Sequence, residues 1–193
     1  IGCGNIAGNY DKIVPKKYSF THAGAYNLLQ RTKLISICDN NTKILSNFSK
    51  KWKVSIKYND YKKMLKNEKI DILSICTPTN THYEIIKYAL KFSNIKAIFL
   101  EKPSTFKSIQ TKKIIEQSKN KIITVNYFRR WNNSFLNFKK INIKKNISKI
   151  KKIHINYTKG LYVSASHQID LMRFFFGEPK NIKVIKKYKS RSE

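Results

Sequence analysis

The sequence predicts an α/β fold in which a doubly wound parallel sheet is followed by the start of an α+β domain with a mainly antiparallel sheet. As far as residue 126, short apolar runs rich in β-branched residues alternate with segments of helical apolar spacing. This alternation is typical of parallel strands with covering helices. From residue 127 the alternation stops. We therefore expect a first domain at 1–126, with a truncated first strand, and the beginning of a second, incomplete domain at 127–193.

The individual elements follow from the same patterns, taken in chain order. Strands of the first domain are predicted at 33–39, 54–58, 71–78, 95–103 and 121–127. Helices of the first domain are predicted at 41–52, 60–70, 81–92 and 108–119, where apolar residues recur at helical spacing. The second domain is predicted to contain a helix at 132–141, a half-exposed strand at 147–159, a helix at 166–177 and a strand at 181–189.

The composition argues against several classes of function. The formal charge is +29, but five of the 40 basic residues are arginine, and the lysine-rich stretch 139–152 contains no aromatic residue. Specific nucleic-acid recognition favours arginine and aromatic side chains, so we expect a solvated lysine surface and no specific nucleic-acid partner. No apolar run approaches the roughly 20 residues of a membrane span. Because Cys3, Cys38 and Cys76 have neither zinc nor disulfide spacing, we expect no metal, and buried thiols in a reducing cytoplasm.

The chain opens on a glycine motif, IGCGNIAG. Gly2, Gly4 and Ala7 satisfy the G-x-G-x-x-G/A pattern of a dinucleotide-binding Rossmann domain, in which glycine permits a tight turn beside the pyrophosphate. Asp39 ends the next predicted strand, where a carboxylate can accept from a ribose hydroxyl and would repel a 2′-phosphate. NAD is therefore favoured over NADP. The long separation between motif and Asp39 indicates an insertion at 8–21 before the helix HAGAYNLLQ.

Two further strand ends carry polar residues. One reads CTPTNTH at 76–82, and the other reads LEKPST at 100–105, where proline restricts the backbone of Lys102. Because the carboxyl ends of parallel strands share one edge of a sheet, we expect both segments to face the same ligand. Two alternatives remain open: the first segment is a turn with Thr81 as a helix cap, and Lys102 is an ordinary exposed lysine.

A histidine in the second domain is a candidate acid–base group. His167 and Asp170, three residues apart in SHQIDLMRFFFG, share one face of the predicted helix. Histidine has an unperturbed pKa of about 6.5, which suits the transfer of a hydroxyl proton. The alternative is a structural histidine bonded to Asp170.

With GCGNIAG, TPTNTH, EKP and SHQIDLMRFFFG in this order, the chain resembles the Gfo/Idh/MocA family of NAD(P)-dependent oxidoreductases. The resemblance covers essentially the whole chain, and we expect a fragment cut at both ends. It implies an N-terminal Rossmann domain and a C-terminal α+β domain with a large, mainly antiparallel sheet. It also implies a cytoplasmic, homo-oligomeric enzyme that uses NAD, or NADP, on a hydroxyl or keto carbon of a sugar, nucleotide-sugar or inositol-like substrate.

The resemblance also implies roles for particular residues. The adenosine and pyrophosphate half of the cofactor is held by Gly2, Gly4, Asn5, Ile6 and Asp39. The nicotinamide side is lined by Thr77, Pro78, Asn80, His82, Glu101 and Lys102. The catalytic pair is Lys102 and His167. Candidate substrate contacts are Arg129, Arg130 and Asp170.

One position departs from the pattern of the family. Many members carry an aspartate four residues before the catalytic histidine, and this chain has Val163 there. A Lys-His pair therefore remains in place of a Lys-Asp-His arrangement. The departure favours a second hypothesis, a non-catalytic nucleotide-binding or regulatory protein of the same fold. The charge alone suggests a third, a nucleic-acid-binding protein.

Overall fold

The computed structural model describes residues 1–15, 17–118, 120–146 and 149–185, with the backbone alone for 141–146. The chain forms two compact units, Ile1–Asn126 and Tyr127–Glu193. No helix in the described part of the chain is long and apolar enough to cross a lipid bilayer.

The first unit is an alternation of strands and helices. Its strands are β1 (Ser36–Cys38), β2 (Ile56–Tyr58), β3 (Ile72–Ile75), β4 (Ala97–Leu100) and β5 (Ile122–Val125). Its helices are α1 (His22–Leu28), α2 (Thr42–Trp52), α3 (Tyr61–Asn67), α4 (Thr79–Ala89) and α5 (Ser108–Gln117). Each strand lies inside its predicted range, which confirms the strand predictions for this unit. Helix α4 begins two residues earlier than predicted, directly after Pro78, because proline is well tolerated where a helix starts.

All strand pairs of this unit are parallel. Strand β1 pairs with β2, and β4 lies between β3 and β5. The segment Ile1–Cys3 lies between the two groups: Gly2 N donates to Cys38 O at 2.8 Å, and Cys76 N donates to Ile1 O at 2.8 Å. The resulting order is β2, β1, the opening segment, β3, β4, β5. This is the doubly wound Rossmann order, with its switch point at the opening segment and β3.

Apolar side chains fill both faces of this sheet. One cluster includes Met64 and Leu65 of α3, as the helical spacing predicts, together with Ile85 and Ile86 of α4. The other cluster includes Phe48 and Trp52 of α2. Each such side chain contributes about 1.5–3 kcal/mol on burial, so the two clusters hold the helices against the sheet.

The segment at 8–21, which the sequence predicts to be an insertion, is organised around a buried carboxylate. The chain first makes one wide helical turn at Asn5–Asn9. Asp11, which is 5 % exposed, then accepts hydrogen bonds from Ser19 Oγ, Phe20 N and Thr21 Oγ1 at 2.9, 2.9 and 2.5 Å. Thr21 in turn caps α1 by accepting from Gly24 N. The insertion therefore delivers α1 to the sheet in a defined position.

The regular elements in the described part of the second unit are helical. It contains a short 3₁₀ helix at Phe128–Trp131, then α6 (Asn133–Asn146), a wide turn at Gly160–Ala165 and α7 (Ser166–Phe176). Helix α7 matches its prediction and ends at Gly177, whose φ is 84°.

The predicted antiparallel strands of this unit are not formed in the described residues. Residues 149–159 and 181–185 have no strand assignment, and 147–148 and 186–189 lie outside the described residues. A strand needs a hydrogen-bonded neighbour, and the described part of this unit offers none. The alternating pattern at 147–159 therefore predicted a strand from periodicity alone, without a partner.

Candidate active site

A cavity of about 940 Å³ opens at the carboxyl ends of the strands in the first unit. Six of the predicted cofactor residues line it: Gly2, Gly4, Asp39, Thr77, Pro78 and Asn80. Asn5, Ile6, His82, Glu101 and Lys102 are not among its lining residues. The structure thus brings the ends of the opening segment, β1 and β3 to one site, at the switch point where open α/β sheets bind ligands.

The two glycines serve the cavity in different ways. Gly2 has a φ of 85°, and a Cβ added there would lie 2.8 Å from the backbone carbon of Cys76. Glycine is required at this position because the opening segment approaches β3 so closely. A Cβ added at Gly4 would meet nothing within 4 Å. The space beside Gly4 is therefore open to a ligand, which fits the close approach of a dinucleotide pyrophosphate.

The carboxylate of Asp39 is fixed by the backbone around it. Cys3 N donates to its Oδ2 at 2.8 Å, and Asn41 N donates to its Oδ1 at 2.8 Å. Each carboxylate oxygen keeps acceptor capacity after one such bond. Asp39 can therefore accept from a ribose hydroxyl in the cavity without moving.

The cavity is acidic in a strongly basic protein. Asp39, Asp60 and Glu84 line it, and no Lys or Arg does so among the residues that the structure describes. The chain as a whole has 40 basic residues against 11 acidic ones. The lysine-rich surface therefore does not extend into this cavity, and a 2′-phosphate would meet carboxylates there.

The TPTNTH segment combines a turn with a cavity wall. Thr81 Oγ1 lies 2.8 Å from both Thr77 Oγ1 and Pro78 O, which tightens the start of α4. Thr77, Pro78 and Asn80 face the cavity. The turn and the ligand-facing surface that the sequence offered as alternatives are both present. The prediction of Thr81 as the helix cap is wrong, because α4 already begins at Thr79, directly after Pro78.

His82 occupies a different place from the one that the sequence analysis assigned to it. Its side chain has no exposed surface. Its Nε2 lies 2.9 Å from Thr77 O, and its Nδ1 lies 3.1 Å from Pro103 O and 3.2 Å from Ser104 O. His82 therefore braces the TPTNTH segment against the Glu-Lys-Pro turn, and its ring presents no surface to the cavity.

The Glu-Lys-Pro turn follows β4 directly, and its Lys102–Pro103 peptide bond is cis. Lys102 is half-buried, and this burial lowers the pKa of its amine, while the neighbouring Glu101 carboxylate acts in the opposite direction. Burial would raise the pKa of Glu101, but hydrogen bonds from His22 and Asn126 outweigh it and hold that pKa below its usual range. The turn thus carries an ionised acid beside a lysine that loses its proton more readily than an ordinary lysine.

Sequence reasoning missed the partners of Glu101. His22 Nε2 lies 2.9 Å from Glu101 Oε1, and Asn126 Nδ2 donates to the same oxygen at 2.7 Å. Asn126 follows β5, at the sheet edge where the other polar strand ends lie, and that signal could have found it. Nothing local marks His22, because its partner is 79 residues away in sequence.

In the second unit, His167 lies on α7 among aromatic rings. Its ring centroid is 5.8 Å from that of Tyr127 and 5.2 Å from that of Phe128. Arg130 and Asp170, two candidate substrate contacts, bind each other: Arg130 Nη2 lies 2.7 Å from Asp170 Oδ1. Arg129 lies in the same 3₁₀ helix as Arg130. Val163 lies in the wide turn before α7 and is exposed.

Two of the three cysteines, Cys38 and Cys76, line the cavity, and Cys3 is buried in the opening segment. Burial raises the pKa of Cys3 and Cys76 to about 12 and that of Cys38 to about 11. All three are free thiols. In the described part of the chain, no group of three or more His, Cys, Asp or Glu residues is placed to hold a metal ion. The thiols are therefore protonated and unreactive at neutral pH.

The sequence is similar to those of several oxidoreductases. It is 27% identical to Oxidoreductase P35 of Formosa agariphila over 95% of this chain and 61% of the relative. It is 27% identical to the scyllo-inositol 2-dehydrogenase (NADP(+)) of Bacillus subtilis over 58% of this chain and 37% of the relative. The chain thus spans about three fifths or less of the length of these curated relatives.

The fold is shared with solved dehydrogenases. The structure matches the scyllo-inositol dehydrogenase of Lactobacillus casei with a TM-score of 0.68 and 22% identity, covering 81% of this chain and 52% of the other. Residues 1–127 match the GFO_IDH_MocA family, described as the oxidoreductase family with an NAD-binding Rossmann fold. Because this match covers more than half of the chain's 193 residues, the chain belongs to this family.

Proposed function

We propose that the whole protein is an NAD-dependent oxidoreductase that transfers a hydride between nicotinamide and a hydroxyl or keto carbon of a sugar, nucleotide-sugar or inositol-like substrate. The observation that carries this proposal is the cavity at the switch point, where Gly2, Gly4, Asp39 and Thr77 meet. The family resemblance supports the further expectation of a cytoplasmic homo-oligomer.

The acidic lining of the cavity supports NAD as the cofactor. Asp39 would accept from the two ribose hydroxyls of NAD and would repel the 2′-phosphate of NADP. Asp60 and Glu84 add negative charge to the same wall. The relatives differ in cofactor: the Bacillus subtilis enzyme is named for NADP(+), and the Lactobacillus casei structure holds NAD(H).

The substrate class rests on the relatives. The Bacillus subtilis relative is named for scyllo-inositol, and the Lactobacillus casei structure contains bound NAD(H) and scyllo-inositol. A polyol with several CH–OH groups therefore heads the substrates to be tested, and sugars and nucleotide-sugars come next.

Two residues are proposed to handle the proton. In the oxidative direction the C–H bond of the reacting carbon breaks and its electron pair leaves as hydride, for which the bound cofactor supplies the acceptor. The hydroxyl proton leaves in the same reaction and needs a base. Lys102 suits this task because burial lowers the pKa of its amine. His167 is proposed to share the proton, as its match to the family histidine implies.

Binding of NADH to the full-length protein tests the first part of the proposal. We expect a saturable change in protein fluorescence on titration, and its absence would remove the proposal. Gly4→Val provides the matched variant, because a Cβ at this position meets nothing within 4 Å and the side chain would occupy open space beside the cavity. The variant should keep the wild-type Tm and bind NADH at least tenfold more weakly.

A second candidate is a non-catalytic cofactor-binding protein of the same fold, which Val163 favours because an aspartate often stands there in the family. The two candidates differ in turnover. NADH binding without NAD reduction across a panel of inositols, sugars and nucleotide-sugars would select the non-catalytic protein.

A further inference from the structure

The turn that carries Lys102 is held from two sides by buried histidines. His82 lies against the carbonyl oxygens of Pro103 and Ser104, at 3.1 and 3.2 Å. His22 lies against the carboxylate of Glu101 at 2.9 Å. The residue before Lys102 and the residue after it are thus both anchored to side chains inside the fold.

The ring of His22 has a fixed orientation. It is 5 % exposed and is the first residue of α1. Its Nδ1 lies 3.0 Å from Ser74 Oγ, which in turn lies 2.8 Å from the hydroxyl of Tyr26. Its ring also packs on Phe99, with centroids 4.6 Å apart. Bonds at both nitrogens and a ring contact leave the imidazole one position.

The Glu101 carboxylate links the fixed ring of His22 to the backbone of Lys102. Its Oε1 accepts from His22 and Asn126, and its Oε2 accepts from Lys102 N at 3.3 Å. The pKa of Glu101 is lowered, chiefly by the bond from His22 against the opposing effect of burial, so the carboxylate is ionised and can only accept. His22 Nε2 therefore carries the proton in this contact.

We propose that His22 is a positioning residue: together with Asn126 it fixes the Glu101 carboxylate, which holds the backbone of Lys102 so that its amine is presented to the reacting oxygen. The inference rests on the proposed role of Lys102. It gives the inserted segment a purpose, because Asp11 binds Thr21, the cap of α1, and α1 begins with His22.

The alternative is a polar network that stabilises the fold and does nothing more. Both readings predict a loss of stability when His22 is replaced, since a buried carboxylate would lose a donor. They differ in the effect on turnover at equal stability, and in whether a side chain that still reaches Glu101 restores it.

A pair of amide variants separates the two readings in the full-length protein. His22→Gln is long enough to donate to Glu101, whereas His22→Asn is one methylene shorter and cannot reach it. Tyr26→Phe is the control, because it removes a hydroxyl at the far end of the same hydrogen-bonded chain. For each variant kcat, the Kd for NADH and the Tm are measured.

We expect His22→Asn to lower kcat at least tenfold with the Kd for NADH unchanged within twofold. His22→Gln should retain at least a third of the wild-type kcat, and Tyr26→Phe should differ from the wild type by less than twofold. Equal kcat in the Asn and Gln variants would overturn the proposal, and so would a matching loss in Tyr26→Phe.

Hydrogen–deuterium exchange of the peptide that spans 101–105, measured without cofactor or substrate, supplies a readout independent of activity. Exchange there should be faster in His22→Asn than in His22→Gln. Equal exchange in the two variants would contradict the positioning role even in an inactive protein. If the wild type shows no turnover but the two variants still differ in exchange, the result would count against the proposed function and not against the positioning role of His22.

Discussion

One guanidinium holds both carboxylate oxygens of one aspartate: Arg130 Nε lies 3.0 and 2.8 Å from Oδ1 and Oδ2 of Asp170. The Asp170 side chain is 9% exposed and that of Arg130 is 37% exposed. The pair joins the 3₁₀ helix at Phe128–Trp131 to α7, the helix that carries His167. Two residues offered by the sequence as substrate contacts are thus engaged with each other.

Breaking this pair should destabilise the second unit. Arg130→Ala leaves the buried Asp170 carboxylate without its donor, and we expect the free energy of unfolding to fall by about 2 kcal/mol. A fully buried pair would cost more, but Arg130 is partly exposed. Urea unfolding of Arg130→Ala, Asp170→Ala and the double variant forms a double-mutant cycle. Strictly additive losses in this cycle would show that the pair is not coupled. Arg129→Ala, from the same helical turn, is the control.

Replacement of Lys102 should separate chemistry from binding. Lys102→Ala is expected to lower kcat by about 10²–10⁴-fold, the range of a lost acid–base group, while the Kd for NADH changes only a few-fold. Lys96→Ala, an exposed lysine beside the same strand, should leave both quantities unchanged. Stopped-flow turnover and fluorescence titration measure the two quantities. Equal losses in both would make Lys102 a cofactor clamp.

The pH dependence of turnover should report the charge on Glu101. The Glu101 carboxylate raises the pKa of Lys102 against the larger, opposite effect of burial. Glu101→Gln removes that charge, so the pKa of Lys102 falls further and the neutral amine forms at lower pH. The rising limb of kcat/KM against pH in the oxidative direction should therefore move to lower pH. Glu116→Gln on the exposed face of α5 should not move it, and a shift to higher pH would contradict the assignment of Lys102.

The helices and strands of the first unit could be predicted from local sequence patterns, because neighbouring residues determine where each of them begins and ends. Each strand is a short β-branched run between turn residues, and each helix has its own apolar face. Side-chain caps that the structure shows, such as Asn41 on α2 and Asp60 on α3, are residue types that favour helix starts. The glycine motif and Asp39 met in space because parallel strands end at one edge.

The rest depended on distant partners. His22 binds residues 52 and 79 positions away, and no pattern near it indicates a carboxylate or a serine. Asp170 was matched with His167 from helical spacing, but its strongest partner, Arg130, lies 40 residues earlier. The alternation at 147–159 predicted a strand, and periodicity cannot supply the neighbour that a strand requires. Pairing across the fold decided each of these outcomes.

The choice between NAD and NADP should depend on Asp39. Asp39→Asn keeps the shape of the side chain and one acceptor, and removes the charge that would repel a 2′-phosphate. We expect the ratio of the Kd for NADPH to the Kd for NADH to fall about tenfold, which corresponds to roughly 1.4 kcal/mol. Glu84→Gln, which alters another carboxylate of the cavity, is the control. An equal change in Glu84→Gln would attribute the preference to general charge and not to the position of Asp39.

The carboxylate of Asp11 should stabilise the fold at neutral pH and cease to do so in acid. Burial would raise its pKa, but hydrogen bonds from Thr21, Phe20 N and Ser19 outweigh burial and lower it from 3.8. A carboxyl group with a lowered pKa contributes stability above its ordinary pKa, and this contribution is lost as the pH falls through the folded-state value.

Asp11→Asn should therefore cost about 2 kcal/mol at pH 7, from bonds to a charged acceptor. The cost should be the same at pH 5 and should shrink below pH about 4, where the Asp11 carboxyl of the unfolded wild-type chain begins to take up a proton. Urea unfolding across this pH range measures it. Asp71→Asn serves as the control, because the Asp71–Lys96 pair is 71% and 76% exposed and surface pairs contribute little. A cost that stays constant down to pH 3 would mean that the shape of the side chain, and not its charge, organises the insertion.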